Sequence, residues 1–419
     1  MNRKTLFLIT ASYPYGSYET FLESEIPILS KKFNKIFIIT NSKPSKIIRD
    51  IPDNLQIYYF SYLPTLSEKI ASLKYLFNRM FWKEFHIIIF RYKIFPTYQI
   101  LSTILTSLRK GQNLCNFIIG ITKKEKLILQ DTLGYSYWCN NMAIGLALLK
   151  RKNPGIRVIT RGHGWDVYFF RNKINYLPHR FLIFQNLDSI HFISDHGYQY
   201  CSRLLRENFQ EKFFVSRLGS KDLQGNIKKS SLDSFKFISC SSLIPLKRVD
   251  LIVKLLYSLG STGININWTH IGSGPLYQDI KKESDEITIK YQNIKITFLG
   301  QLSNEEVLNL YRNEYFDLFI SLSEYEGIPV SIMEAISAGT PVLATNVGGN
   351  SEIVGNKSGY LVSANPTIEE LAEKVLNFIN LSPQEMEDKR VYARKVWNKL
   401  YNAELNYKDF VDDIVNLLG

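Results

Sequence analysis

Cysteine is scarce in this chain. There are four in 419 residues (Cys115, Cys139, Cys201 and Cys240), and no two form a CxxC pair. That spacing argues against a disulfide framework and against a zinc site, and it points to reduced cytoplasm. No apolar run approaches the roughly 20 residues that a membrane-crossing helix needs; the best uncharged stretch, 94–108, is too short and contains Pro96. The opening MNRKTLFLITASYPYG has a charged start, but its apolar run stops at a turn, so it reads as a first strand rather than a signal peptide. No GxGxxG follows that strand, which removes the dinucleotide fingerprint. Low-complexity segments, DNA- or RNA-binding motifs and Asp-x-Asp are missing as well, and nucleic acid is not expected as a partner.

What is present is an ordinary globular composition, 45% hydrophobic, in a chain long enough for two domains with sizeable cores. The net charge of +12 is uneven: residues 1–222 hold 32 Lys+Arg against 15 Asp+Glu, and the remainder 19 against 24. The basic half points to an anionic partner, with a membrane surface favoured over nucleic acid; a merely solvated basic face is the alternative.

The most informative stretch is 323–349, SEYEGIPVSIMEAISAGTPVLATNVGG. The apolar run before it, 318–322, reads as a buried strand of a parallel sheet. Gly327 and Pro329 break that strand, and a helix should start near Pro329 and stop at Gly339. A helix start leaves N–H groups unpaired, so the amides of Val330 and Ser331 can hold a phosphate or another anion. Glu326 lies in the turn, with Gly327 and Ile328 beside it, and Glu334 about one helical turn deeper. Carboxylates accept hydrogen bonds from vicinal hydroxyls, so a phosphorylated polyol such as a nucleotide-sugar fits. Taken singly, each glutamate also reads as a solvated loop residue or a helix-dipole partner.

Elsewhere, strand, loop, helix and strand over 6–40 form a βαβ unit. Its loop carries Gly16 and Glu19, the latter either a ligand contact or a helix cap. Residues 67–109 read as helical, aromatic and basic (YLFNRMFWKEFHIIIFRYKIF), suiting either an interfacial membrane surface or a buried helix pair. A strand is expected at 127–130, and a helix from Tyr137-Trp138 to about Lys150. The strand 158–160 leads into RGHGWDVY, where His163 sits between two glycines at a strand's carboxyl end and suits a sugar hydroxyl or a phosphate. Strands 189–194 and 213–218 should close the first sheet, before a polar, aperiodic linker over 219–234. In CSSLIPLKRVDLIVKLL, Lys247 and Arg248 fall where a loop becomes a helix, placing two cations able to neutralise a diphosphate leaving group. Gly274 lies in the turn GSGPL, and Gln301 follows Gly300 in a later one.

Together EGIP, MEA, AGTPV and VGG closely resemble the donor-site signature of the group 1 (family 4) retaining glycosyltransferases, and RGHGWD resembles their Arg-x-His-Gly-x-Asp segment, especially in enzymes that build bacterial cell-surface polysaccharides. The resemblance implies an α/β GT-B architecture, two Rossmann-like domains facing a cleft. The first, 1–218, would bind acceptor; 235–390 would bind the nucleotide-sugar; helices over 391–419 would cross back to the first. It further implies hexose transfer with retention from a nucleoside-diphosphate sugar to a saccharide or lipid-linked acceptor, with no metal or cofactor, in the cytoplasm or on the inner face of the plasma membrane. Lys247, Arg248 and the Val330 and Ser331 amides would hold the diphosphate, Glu334 the ribose and Glu326 the sugar. Gln301 would border the nucleobase, and Gly274, Gly327 and Ile328 would shape the donor pocket. His163 would reach the donor from the other domain, with Gly16, Glu19 and Asp166 on the acceptor side. Many relatives carry an arginine five residues before the lysine, where this chain has Ser242, so part of that load would pass to Arg248. A sugar-nucleotide epimerase of similar fold and a non-catalytic membrane scaffold are the rival readings.

Overall fold

The computed structural model describes residues 4–16, 19–47, 49–61, 70–205, 209–223 and 234–419. The chain divides into two compact units, the first comprising 1–217 with 407–419 and the second 218–406.

The first unit is built on a seven-stranded sheet of β1 (Thr5–Thr10), β2 (Lys35–Thr40), β3 (Leu55–Tyr59), β4 (Thr132–Ser136), β5 (Arg157–Gly162), β6 (Ser189–Phe192) and β7 (Phe213–Val215). Every neighbouring pair is parallel, in the order β3-β2-β1-β4-β5-β6-β7. The apolar runs of β1 and β2 are buried on both faces, as parallel strands under helices must be. The second unit repeats the plan with β8 (Phe235–Cys240), β9 (Ile266–Ile271), β10 (Ile294–Phe298), β11 (Leu318–Ser321), β12 (Val342–Thr345) and β13 (Gly359–Val362), in the order β10-β9-β8-β11-β12-β13. In each sheet the strand order reverses once, at β1/β4 and at β8/β11. Crevices outside the carboxyl ends of strands at such switch points are where open α/β sheets bind ligands.

Several elements depart from the sequence expectations. Residues 127–130 are not a strand: Leu129–Asp131 is a 3-10 turn, and the strand is the next segment, Thr132–Ser136. Its sequence TLGYS has no continuous apolar run, yet it is fully buried between β1 and β5, where Gly134 lets Leu146 approach to what would be 2.8 Å from a Cβ. Tyr137 and Trp138 do not open the next helix. It begins at Asn141, after the Asn140 side chain accepts the Met142 N–H at 2.9 Å. The helical region expected over 67–109 is broken: Ser72–Phe77 is 3-10, Arg79–His86 is α, Ile87–Tyr92 is π, and a 27-residue helix starts only at Tyr98, after Pro96. Residues 62–69 and 224–233, the latter within the expected linker, lie outside the described residues.

At the C-terminus, the helix Pro383–Leu400 belongs to the second unit. Its Arg390 donates to the Phe316 carbonyl at 2.8 Å, and Trp397 to the Ser220 hydroxyl at 2.9 Å. In the following helix, Ala403–Asn416, Phe410, Val411 and Ile414 join Leu6, Leu8 and Tyr135 in the core of the first unit.

Candidate active site

In the second unit the switch-point strands β8 and β11 each end in a loop, and the two loops are tied together. The Glu324 N–H donates to the Leu246 carbonyl at 2.9 Å, and the Lys247 ammonium donates to Glu326 Oε1 at 2.5 Å. Glu326 is only 9% exposed, so this ion pair is partly desolvated, where charge-assisted bonds are strong. The helix Val330–Ser337 starts beyond the turn, with Pro329 at its N-cap and no side chain capping it. The first-turn amides of Val330 and Ser331 therefore have no intrahelical acceptor, and the helix dipole adds partial positive charge there.

Backbone contact explains the glycines around this turn. A Cβ on Gly348, whose φ is +52°, would lie 1.8 Å from the Glu326 carbonyl, and Gly349 donates to the Gly327 carbonyl at 2.9 Å. The VGG turn thus braces the EGI turn from behind, with Ile328 buried against it. Gly274 likewise lets the GSG turn lie against Leu243, whose carbonyl would be 2.4 Å from a Cβ. Ser273 in that turn donates to Gln301 at 3.3 Å, so Gln301 stands at the rim, exposed.

Glu334 is 6% exposed, and burial pushes its carboxyl up to about 7, partly opposed by the hydrogen bond it accepts from Asn304 at 2.6 Å. Near neutral pH it therefore holds a proton part of the time, able both to donate to and to accept from a hydroxyl.

Arg248 is placed differently from its expected role. It adopts a left-handed backbone (φ 48°) at the start of the helix Val249–Gly260. Its Nε donates to the Leu322 carbonyl at 2.7 Å, Nη2 to the carbonyls of Ser323 and Ala364 at 3.0 and 2.8 Å, and Nη1 to Asn365 at 3.1 Å. All three nitrogens are committed to protein oxygens, so the guanidinium straps the loops after β11 and β13 together instead of reaching for a diphosphate. Lys247 is left as the cation of this pair that meets a site carboxylate, Glu326.

In the first unit, His163 follows β5 and is 6% exposed, its ring 4.7 Å from Tyr137 and 4.4 Å from Trp138. Neither ring nitrogen has a hydrogen-bond partner, and Nδ1 lies 3.6 Å from Asp166, too far for one. A buried imidazole held by aromatics with both nitrogens unsatisfied has hydrogen-bonding capacity open to a ligand. Asp166 is fully buried and accepts the backbone N–H groups of His163 and Cys139, each at 2.8 Å. Burial would raise its pKa, but the His163 ring and these two amides outweigh it and hold the carboxyl below the usual range. Asp166 therefore pins the turn that carries His163 and is not available to an acceptor.

Glu19 is neither a helix cap nor a free ligand contact. Its carboxylate fills a nest of backbone amides at the end of β1, accepting from Ala11, Ser12 and Tyr13 at 2.9, 2.7 and 2.7 Å, and from the Trp138 indole at 2.6 Å. It fixes the loop and the ring that covers His163. Gly16, exposed in a left-handed conformation, lies in the same loop.

Against this geometry, residues 221–396 match the family described as glycosyl transferases group 1. That segment is a group 1 glycosyltransferase domain. Relatives extend the likeness beyond it: a glycosyltransferase of Methanocaldococcus jannaschii is 26% identical over 324 residues, covering 76% of this chain and 86% of that protein. The Escherichia coli O-antigen biosynthesis glycosyltransferase WbnH is 30% identical over 128 residues, 30% of this chain and 33% of that one. Among solved structures, Anabaena HepE in complex with UDP and glucose superposes with a TM-score of 0.64 at 13% identity, covering 99% of both chains. The two Rossmann-like units are accordingly those of a GT-B glycosyltransferase fold.

Sequence reasoning missed three partners. Asn304 opens the helix Asn304–Asn313 behind a Ser303/Glu306 capping box, a signal of a helix start but not of contact with Glu334. Trp138, in sequence only part of an expected helix, carries no local sign of its bond to Glu19. Arg161, the first residue of RGHGWD, is fully buried in an ion pair with Glu25 at 2.7 Å and stacks 3.9 Å from Phe410.

Proposed function

We propose that this group 1 glycosyltransferase moves a hexose, with retention, from a nucleoside-diphosphate sugar to a saccharide or lipid-linked acceptor in the synthesis of a bacterial surface polysaccharide. The observation that carries the reading is the Lys247–Glu326 pair at the β8/β11 switch point, beside a helix start whose first amides are uncapped. An ammonium has three donors, so Lys247 can keep Glu326 and still bind a diphosphate oxygen. As the bond between the anomeric carbon and the diphosphate breaks, Lys247 and the amides of Val330 and Ser331 stabilise the growing negative charge, and fixed donors of this kind need no reorganisation at that moment. Glu326 holds the sugar hydroxyls, Glu334 the ribose, and Gln301 borders the base. His163 contacts donor sugar or phosphate, since its unpartnered nitrogens suit either. Gly16 belongs to the acceptor side. Metal independence is part of the proposal, with the charge load on Lys247 and the helix start.

The relatives and HepE support this reading through what they are described as doing: O-antigen biosynthesis in one case, a complex with UDP and glucose in the other. An assay for nucleoside diphosphate release, run over a panel of sugar nucleotides with and without polysaccharide-repeat and lipid-linked acceptors, tests it. Release that requires an acceptor is expected. Epimerised donor without release would replace transfer by epimerisation, and no turnover with any donor would favour a scaffold.

A further inference from the structure

Seven of the 17 large hydrophobic side chains exposed among the described residues fall between Ile70 and Tyr98, led by Phe77 at 93%, Tyr98 at 84% and Phe95 at 82%. The segment is not an unfinished core. Phe81, Ile87 and Ile88 already face inward and are buried, and so is its one carboxylate, Glu84, which accepts from the Tyr176 hydroxyl and the His179 amide. What remains outside has a pattern. Along the helix Arg79–His86 the exposed residues are Arg79, Trp82, Lys83 and His86, spaced i, i+3, i+4 and i+7 on one face. Phe90 prolongs that stripe, its ring 4.3 Å from His86. Trp82 is held by an indole N–H bond to the Leu76 carbonyl at 2.7 Å. Lys74 and Lys93 are exposed beside the outlying aromatics, and a groove around the π-helical turn is lined by His86, Phe90, Arg91 and Lys93.

We propose that this face of the first unit, residues 70–98, docks on an anionic lipid bilayer, with Phe77, Phe90 and Phe95 entering the headgroup boundary and Lys74, Arg79 and Lys93 meeting lipid phosphates. The charge decides between occupants. Five cations and no exposed carboxylate across 29 residues would repel a second copy of the same face, whereas anionic lipid complements both the charge and the aromatic content. The excess of positive charge in the first half of the chain acts in the same sense. No helix among the described residues is long and apolar enough to cross a membrane, so this contact is interfacial. The inference does not depend on the transfer reaction, because vesicle binding needs neither donor nor acceptor.

The test is co-sedimentation of the full chain with vesicles of phosphatidylcholine containing about 30% phosphatidylglycerol, at low salt and again at about 1 M salt, where the Debye length is near 3 Å. Binding is expected to anionic vesicles and to be much weaker to pure phosphatidylcholine. Lys74→Gln/Lys93→Gln should lower the partition coefficient at low salt by about fivefold per charge. Phe77→Ser/Phe95→Ser should lower it by at least about tenfold and remove the fraction that survives high salt. Both pairs sit on exposed side chains, so an unchanged thermal midpoint certifies the fold. The proposal is overturned if the wild type fails to bind at low salt, or if both double variants bind like the wild type. It is overturned equally if sedimentation velocity without vesicles shows a dimer that Phe77→Ser/Phe95→Ser abolishes, which would assign the face to a second copy.

Discussion

The two units share one sheet plan and use their polar residues in opposite ways. In the second unit the charged groups around the switch point, Lys247, Glu326 and Glu334, come from neighbouring loops and a helix turn. In the first unit the corresponding carboxylates are engaged internally: Glu19 by backbone amides, Asp166 by two more, and Glu25 through one oxygen by Arg161. There the His163 ring keeps both of its nitrogens without a hydrogen-bond partner. The same residue types are therefore locked by backbone amides and a buried guanidinium in one unit, and each held by a single side-chain partner in the other.

Breaking that contrast should give its largest effect at Arg161. Both members of the Arg161–Glu25 pair are fully buried, and removing one partner of such a pair costs about 3–5 kcal/mol because the other is left charged and unpaired. Arg161→Met should therefore lower stability by that amount in denaturant titration. Adding Glu25→Gln should recover a large part of the loss, and a double variant as unstable as the single would refute the pairing as the cause.

Lys247→Ala should do the reverse. Its side chain is 23% exposed but its partner Glu326 is nearly buried, so stability should fall by only about 1.5–3 kcal/mol, while turnover falls by roughly two to three orders of magnitude, the scale of losing one preorganised donor to a leaving anion. Steady-state kinetics beside thermal melts check both. Unchanged turnover would remove Lys247 from the site.

These two residues also show why one unit was easier to read. The chemistry of the second unit is written in one strand-turn-helix, so Glu326, the glycine-proline break and Glu334 appear at fixed spacing, and the helix starts within a residue of where Pro329 places it. The alternating βαβ pattern was legible in both units for the same local reason. What was not legible arises from distance. Asn304 meets Glu334 across 30 residues, Trp138 meets Glu19 across 119, and Arg161 meets Glu25 across 136. Nothing local marks such partners. Arg248 was misread because a loop-to-helix cation looks the same in sequence whether its guanidinium faces a ligand or four protein oxygens. Strand β4 was misplaced because its burial comes from strands on either side and not from its own apolar content.

Glu334 allows a pH test of the pocket alone. Burial raises its folded-state carboxyl to about 7, above its unfolded value, so the folded form binds the proton more tightly. The stabilisation this supplies is complete below the unfolded pKa, near 4.3, and is lost as pH rises to about 7. Integrated over that window the loss is up to about 4 kcal/mol. Glu334→Gln keeps an oxygen to accept from Asn304 but cannot ionise, so the difference in stability between variant and wild type should move in the variant's favour from pH 4 to 8. A difference that stays flat with pH would place the titration elsewhere.

The smallest expected effect lies in the first unit and tests whether its internal bonds hold the His163 ring in place. Trp138→Phe keeps an aromatic ring beside His163 but removes the indole N–H that donates to Glu19 at 2.6 Å. Three backbone amides still hold that carboxylate, so the loss should be only about 1.5 kcal/mol, the low end for one hydrogen bond to a charged group. If the Glu19 nest serves to position the wall of the His163 pocket, turnover should fall by more than the modest stability change accounts for, and Glu19→Gln in the Trp138→Phe background should add little further loss of turnover, because residues in one network are not additive. Additive losses of turnover would mean that Glu19 and Trp138 act independently, and that the carboxylate does more than hold the ring in place.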